Sequence, residues 1–231
     1  RVGAVIYIRW RPRGAWSLAQ ARQQLRLAGR MWTIGVLGKI TLQLDDWLVF
    51  TMRRPAAVIW RSAGVEPEAL YDRAYSVSKL PMDLAGGVIA SNALAIYAER
   101  ASHGGELLLS AYRRMTWSLA WVIFSSGAYL FLAIDDLVYV LGDAWIPMVP
   151  LLRLMILFII GRPLLQNCAQ LLLALQRERD VRFAMAVQAA FLLVACPPAV
   201  YAFGAAGAAA VVSIMSALGV ILFERCVTRR L

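Results

Sequence analysis

The sequence predicts an all-α, polytopic membrane protein, and three observations carry that prediction. Of its 231 residues 61% are hydrophobic and 16% charged, against about 45–50% and about 25% in soluble domains, and mean hydropathy is +0.63. The apolar residues fall in continuous runs of about 20, the length a helix needs to cross a bilayer. They lack the alternation over about ten residues that marks a membrane β-barrel. The same composition excludes a disordered chain, which needs low hydrophobicity, and argues against a soluble enzyme.

Residues 1–30 read as the end of a preceding span followed by a basic cytoplasmic linker, and residues 31–231 as a six-helix transmembrane lobe. The apolar stretch Val2–Ile8 is followed by Arg9, Arg11 and Arg13 with no small-residue cleavage site, so it is not a signal peptide. We expect a longer protein of which this chain is a part. The first span covers about 31–52 and contains Lys39 and the pair Asp45-Asp46. The second, about 70–97, contains Lys79, Pro81 and Asp83, and the third covers 115–134. The fourth is a long run, about 146–175, with Arg153 and Arg162 inside it. The fifth, 183–203, ends near Pro197-Pro198, and the sixth, 205–223, is rich in Ala and Gly, which let helices approach closely.

All but two of the 24 basic residues are Arg. Counted in alternate connections, fifteen Arg fall on one side and four on the other, which places both ends in the cytoplasm by the positive-inside rule. Because the Arg residues separate apolar runs, they describe membrane topology and not a nucleic-acid surface. Cys168, Cys196 and Cys226 are far apart, with no metal-ligand or disulfide spacing. His103 is the sole histidine and has no Cys, Asp or second His beside it. No phosphate loop or hydrolase motif is present, and no residue is assigned to catalysis, metal or cofactor.

Intramembrane charges carry the functional signal, since each costs roughly 2.5–3.5 kcal/mol at the centre of a span and so faces protein or water. Arg162 lies near the middle of its run, and Arg162, Gln166 and Gln170 share one helical stripe. Lys39 sits in the cytoplasmic half of the first span, and Arg153 is nearer the outer end. Lys79 and Asp83 are four residues apart and can neutralise each other. Asp45 or Asp46 can pair with an Arg of the following connection.

Three segments resemble bacterial oligosaccharide flippases of the multidrug/oligosaccharidyl-lipid/polysaccharide exporter superfamily. In Ala69–Pro81, Tyr71, Ala74, Leu80 and Pro81 fit the family's Gly-x-Tyr-x-x-Ala-x-x-Leu-x-x-Leu-Pro. Leu141–Leu154 is similar to its Leu-x-Gly-x-x-Trp-x-x-Ala-x-x-Leu-Leu-x-x-Leu, and Phe203–Ala210 to its Gly-hydrophobic-x-Gly-Ala-Ala. Asp45 or Asp46 stands where the family often has an acidic residue. Ala69 departs from the expected Gly, and the stretch 53–68 is longer than usual.

The resemblance implies one lobe, the second, of a two-lobed alternating-access exporter in the bacterial inner membrane. Its cargo would be an undecaprenyl-diphosphate-linked oligosaccharide. The implied partners are that cargo, membrane lipids, the missing N-terminal lobe and glycan polymerases. Lys39, Arg162 and Arg153 are then the candidate cavity cations for the diphosphate, and Asp46 and Asp83 the candidates for coupling to H+ or Na+. The alternatives are a drug or lipid II exporter of the same superfamily, a membrane glycan polymerase or ligase, and a transport-incompetent scaffold. A polymerase or ligase predicts a large periplasmic loop bearing Arg and His.

Overall fold

The structure, a computed structural model, describes residues 18–51 and 67–228, and among them every regular element is helical. Helix α1 is Leu18–Thr51, α2 Pro67–His103 and α3 Gly105–Leu141. A 3-10 turn over Asp143–Met148 leads into the short α4 (Val149–Leu154) and then α5 (Ile156–Ala174). Helices α6 (Glu178–Phe203) and α7 (Ala205–Thr228) complete the fold.

Several boundaries differ from the sequence reading: α3 runs ten residues before and seven beyond the span read over 115–134, and two further differences have a clear cause. Helix α1 begins at Leu18, inside the stretch read as a linker, because residues 18–30 are almost all Ala, Leu, Gln and Arg, strong helix formers. The run read as one span over 146–175 is divided, with its first turns in the 3-10 segment and α4 and a break at Met155. At that break the Ser213 hydroxyl of α7 donates to the Leu154 carbonyl at 2.5 Å, so a side chain satisfies the backbone group there.

Among the described residues the α2–α3, α5–α6 and α6–α7 connections are short because glycine and one polar residue turn the chain. Gly104, between α2 and α3, and Gly204, between α6 and α7, hold φ of 125° and 62°, a region where a Cβ is penalised. Helix α5 ends with Gln176 at φ 57°. The Arg177 N–H bonds the Leu172 carbonyl at 2.8 Å and the Gln176 N–H bonds that of Leu173 at 2.9 Å. Those are the two bonds of a Schellman end.

Two apolar clusters show how the helices run. One joins Leu48 and Val49 from the end of α1, Tyr71 from the start of α2, Val138 from the end of α3, Phe158 from the start of α5, Cys196 near the end of α6 and Ala208 from the start of α7. The other joins the opposite ends, with Tyr97, Leu108, Leu172, Val181 and Phe223. The chain therefore passes up and down through the bundle. Helix α7 packs on α5 and α6, α2 packs on α5 and α3, and α1 lies mainly on α6.

In lipid, apolar surface alone does not hold helices together, so close packing and interhelical hydrogen bonds must. The Ala-Gly face supplies the first. Ala205, Gly207, Ala208 and Ala209 are buried, and a Cβ on Gly207 would collide with the Ala199 carbonyl of α6. Tyr97 supplies the second. It donates to Asn167 Oδ1 at 2.8 Å, and Asn167 Nδ2 donates to Thr116 Oγ1 at 3.0 Å, tying α2, α5 and α3 together.

Among the described residues four helices, α3, α5, α6 and α7, are long and apolar enough to cross a membrane. In α1 and α2 the apolar pattern is interrupted by Lys39, Asp45, Asp46, Lys79 and Asp83, and Asp45 and Asp46 belong to the polar seam of the fold.

Candidate functional site

The seam forms where the second half of α1 meets the start of α2, which in turn packs on α5. Each of these helices carries a polar row at helical spacing, Lys39, Gln43 and Asp46 on α1, Asp72, Lys79 and Asp83 on α2, and Arg162, Gln166 and Gln170 on α5. The seam itself joins Asp45, Asp46, Tyr71, Tyr75 and Arg162, with Asp72 and Lys79 at its edge. Asp45 is 1% exposed, and its Oδ2 accepts a 2.7 Å hydrogen bond from the Tyr71 hydroxyl. One turn along α2, the Tyr75 hydroxyl donates to the Leu42 carbonyl at 3.4 Å, and its ring lies 5.5 Å from that of Phe158 on α5. These two tyrosines pin α1 to α2 at one end of the bundle.

Arg162 is the cation of this cluster. It is half-buried, within electrostatic reach of both Asp45 and Tyr75. Asp46 is half-buried and within reach of Asp45, Asp72 and Lys79. It lines a cleft of about 450 Å³ beside Trp47, Tyr71 and Asp72. The result is a seam of both signs on a hydrogen-bonded frame. A guanidinium placed here can grip two oxygens of an anionic group bidentately, while the carboxylates limit the net charge that the helices must shelter.

The other sequence candidates are distributed more widely. Lys39 and Asp83 are exposed on α1 and α2. Arg153 is 49% exposed and donates to Asp135 of α3 at 2.9 Å, itself 64% exposed, so its partner lies outside the seam. Gln166 is exposed and Gln170 half-buried. The connection in which Asp45 or Asp46 was expected to find an Arg lies outside the described residues.

Sequence reasoning missed the frame itself. Tyr71 was visible as a motif residue, and the i, i+4 pair Tyr71 and Tyr75 could have marked a hydroxyl row opposite the Asp pair. Their rings are 6.4 Å apart and stacked. Two of the quoted segments touch, with the Arg73 guanidinium 5.3 Å from the centre of the Trp145 ring, close enough for a cation–π contact. Among the described residues no group of three or more His, Cys, Asp or Glu is placed to hold a metal.

Fold and seam together define a polytopic, all-α membrane protein with an ionisable cluster inside its helical bundle. A family model described as polysaccharide biosynthesis protein matches residues 1–150. The chain belongs to that family, and its role lies in making or exporting polysaccharide. No curated protein and no solved structure matches it.

Proposed function

We propose that this protein is a transporter, not an enzyme, and that it carries a polyprenyl-diphosphate-linked oligosaccharide across the bacterial inner membrane by alternating access. The observation that supports this most is the seam around Arg162. A polysaccharide-biosynthesis protein whose bundle spends its intramembrane charges on a half-buried guanidinium has the chemistry to meet a diphosphate away from bulk water. In this reading the chain supplies one lobe, the second of two, and the rows on α1, α2 and α5 face the cargo path between lobes. Lys39 would guide the headgroup at the basic end, and Asp46 and Asp83 are the places to look for H+ or Na+ coupling.

Arg162 separates a cargo role from a structural one. With full-length protein expressed in cells that lack it, Arg162→Ala should abolish glycan export while membrane abundance stays within about twofold. The double variant Arg162→Ala/Asp45→Asn, which also neutralises the buried carboxylate within electrostatic reach of Arg162, should not restore export. Abundance falling in step with export, with both recovered in the double variant, would assign Arg162 to folding and defeat the proposal for this residue.

A further inference from the structure

A second cleft, lined by none of the seam residues and edged by Arg113 and Glu224, opens between α3 and α7 at the other end of the bundle. It has a volume of about 420 Å³. Both helices change character at this depth. On α3, Arg113 and Arg114 precede the apolar run from Met115, and on α7 the apolar run ends at Phe223 before Glu224 and Arg225. The cleft therefore sits where hydrocarbon gives way to headgroups, and Trp117 at its edge is 67% exposed, as an interfacial tryptophan should be.

Its lining is divided by sign. Arg113 lies on the α3 wall and Glu224 on the α7 wall. The acceptors gather on the Glu224 side. Tyr112 donates to Glu224 Oε2 at 3.4 Å, which orients the carboxylate. The Thr228 hydroxyl gives its proton back to the Glu224 carbonyl at 2.9 Å, leaving its lone pairs to accept. An anionic headgroup alone would meet Glu224 unfavourably, and a cation alone would meet Arg113. A zwitterion carrying phosphate and a protonated amine a few bonds apart satisfies both.

We propose that this cleft holds the phosphoethanolamine headgroup of a membrane phospholipid, its phosphate on Arg113 and its ammonium on Glu224 and Thr228, with the acyl chains running along Trp117. Such a lipid would bridge α3 and α7, both of which pack on α5, and complete the bundle at the membrane surface.

The test is tryptophan quenching by brominated acyl chains in nanodiscs containing the full-length protein. The signal from this site is the part lost in Trp117→Phe. Equimolar discs carry bromine on phosphatidylethanolamine, phosphatidylglycerol or phosphatidylcholine in turn. Brominated phosphatidylethanolamine should quench the Trp117 signal roughly twofold more than either of the others, since glycerol has no cation and choline no N–H. Glu224→Gln should level the three lipids, and Arg113→Gln should weaken quenching by all. Equal quenching in the unchanged protein overturns the proposal without need of any variant. So does a preference for phosphatidylglycerol, or an ethanolamine preference that survives Glu224→Gln.

Discussion

Asp45 illustrates what a single residue must satisfy inside this bundle. Its carboxyl is buried next to Asp46 in a stretch of α1 otherwise made of Leu, Trp and Val, and one of its oxygens is held by Tyr71. Tyr71→Phe keeps the ring and removes the donor, leaving a buried acceptor with one partner fewer. It should lower stability by about 1–3 kcal/mol, read as a lower midpoint of thermal unfolding in detergent. An unchanged midpoint would mean that Asp45 finds another donor. Tyr97→Phe is its counterpart at the opposite end, where loss of the bond to Asn167 should cost about 0.6–2 kcal/mol, the range for interhelical bonds in lipid. Neither pairing was legible in the sequence. A carboxylate and a phenol 26 positions apart become partners only once α1 and α2 are antiparallel and in register, and nothing local to either residue encodes that register.

At the scale of elements, the apolar runs were legible because the bilayer imposes both their length and their helical form. The ends were less so. Residues 18–30 carry charge, which the span reading discounts, yet their composition favours helix regardless of polarity, and α1 extends through them. The break at Met155 could not be read either, since a serine 59 residues away makes it tolerable. The Ala-Gly segment was readable as a packing face, and its placement gives a clean contrast. Gly207→Ala drives a methyl group into the Ala199 carbonyl and should destabilise by about 1–3 kcal/mol. Gly35→Ala on α1 meets nothing within 4 Å and should leave the midpoint unchanged or raise it. Equal effects at the two positions would contradict the close approach of α6 and α7.

For the whole molecule, the up-and-down course gathers four basic segments at one end: the start of α1, the α2–α3 and α5–α6 connections and the end of α7. Arg30 reaches Glu178 there at 3.6 Å, and Arg113, Arg177 and Arg225 lie toward the same end, while Asp135, Asp136 and Asp143 lie toward the other. We propose that the basic end is cytoplasmic. With Cys168, Cys196 and Cys226 replaced, His103→Cys and Gln176→Cys should resist a membrane-impermeant maleimide in spheroplasts until they are permeabilised. Asp136→Cys should react at once. The reverse pattern would invert the molecule and place Arg162 on a path from the wrong side.

The claim that joins these scales is that the seam serves a lipid-linked glycan in transit. The most direct test is leaflet-resolved detection of lipid-linked oligosaccharide in cells lacking the full-length protein. We predict that the glycan accumulates on the cytoplasmic leaflet and that re-expression clears it. Normal translocation, with glycan left unpolymerised or unligated on the periplasmic side, would contradict the account and point to an enzyme of glycan assembly.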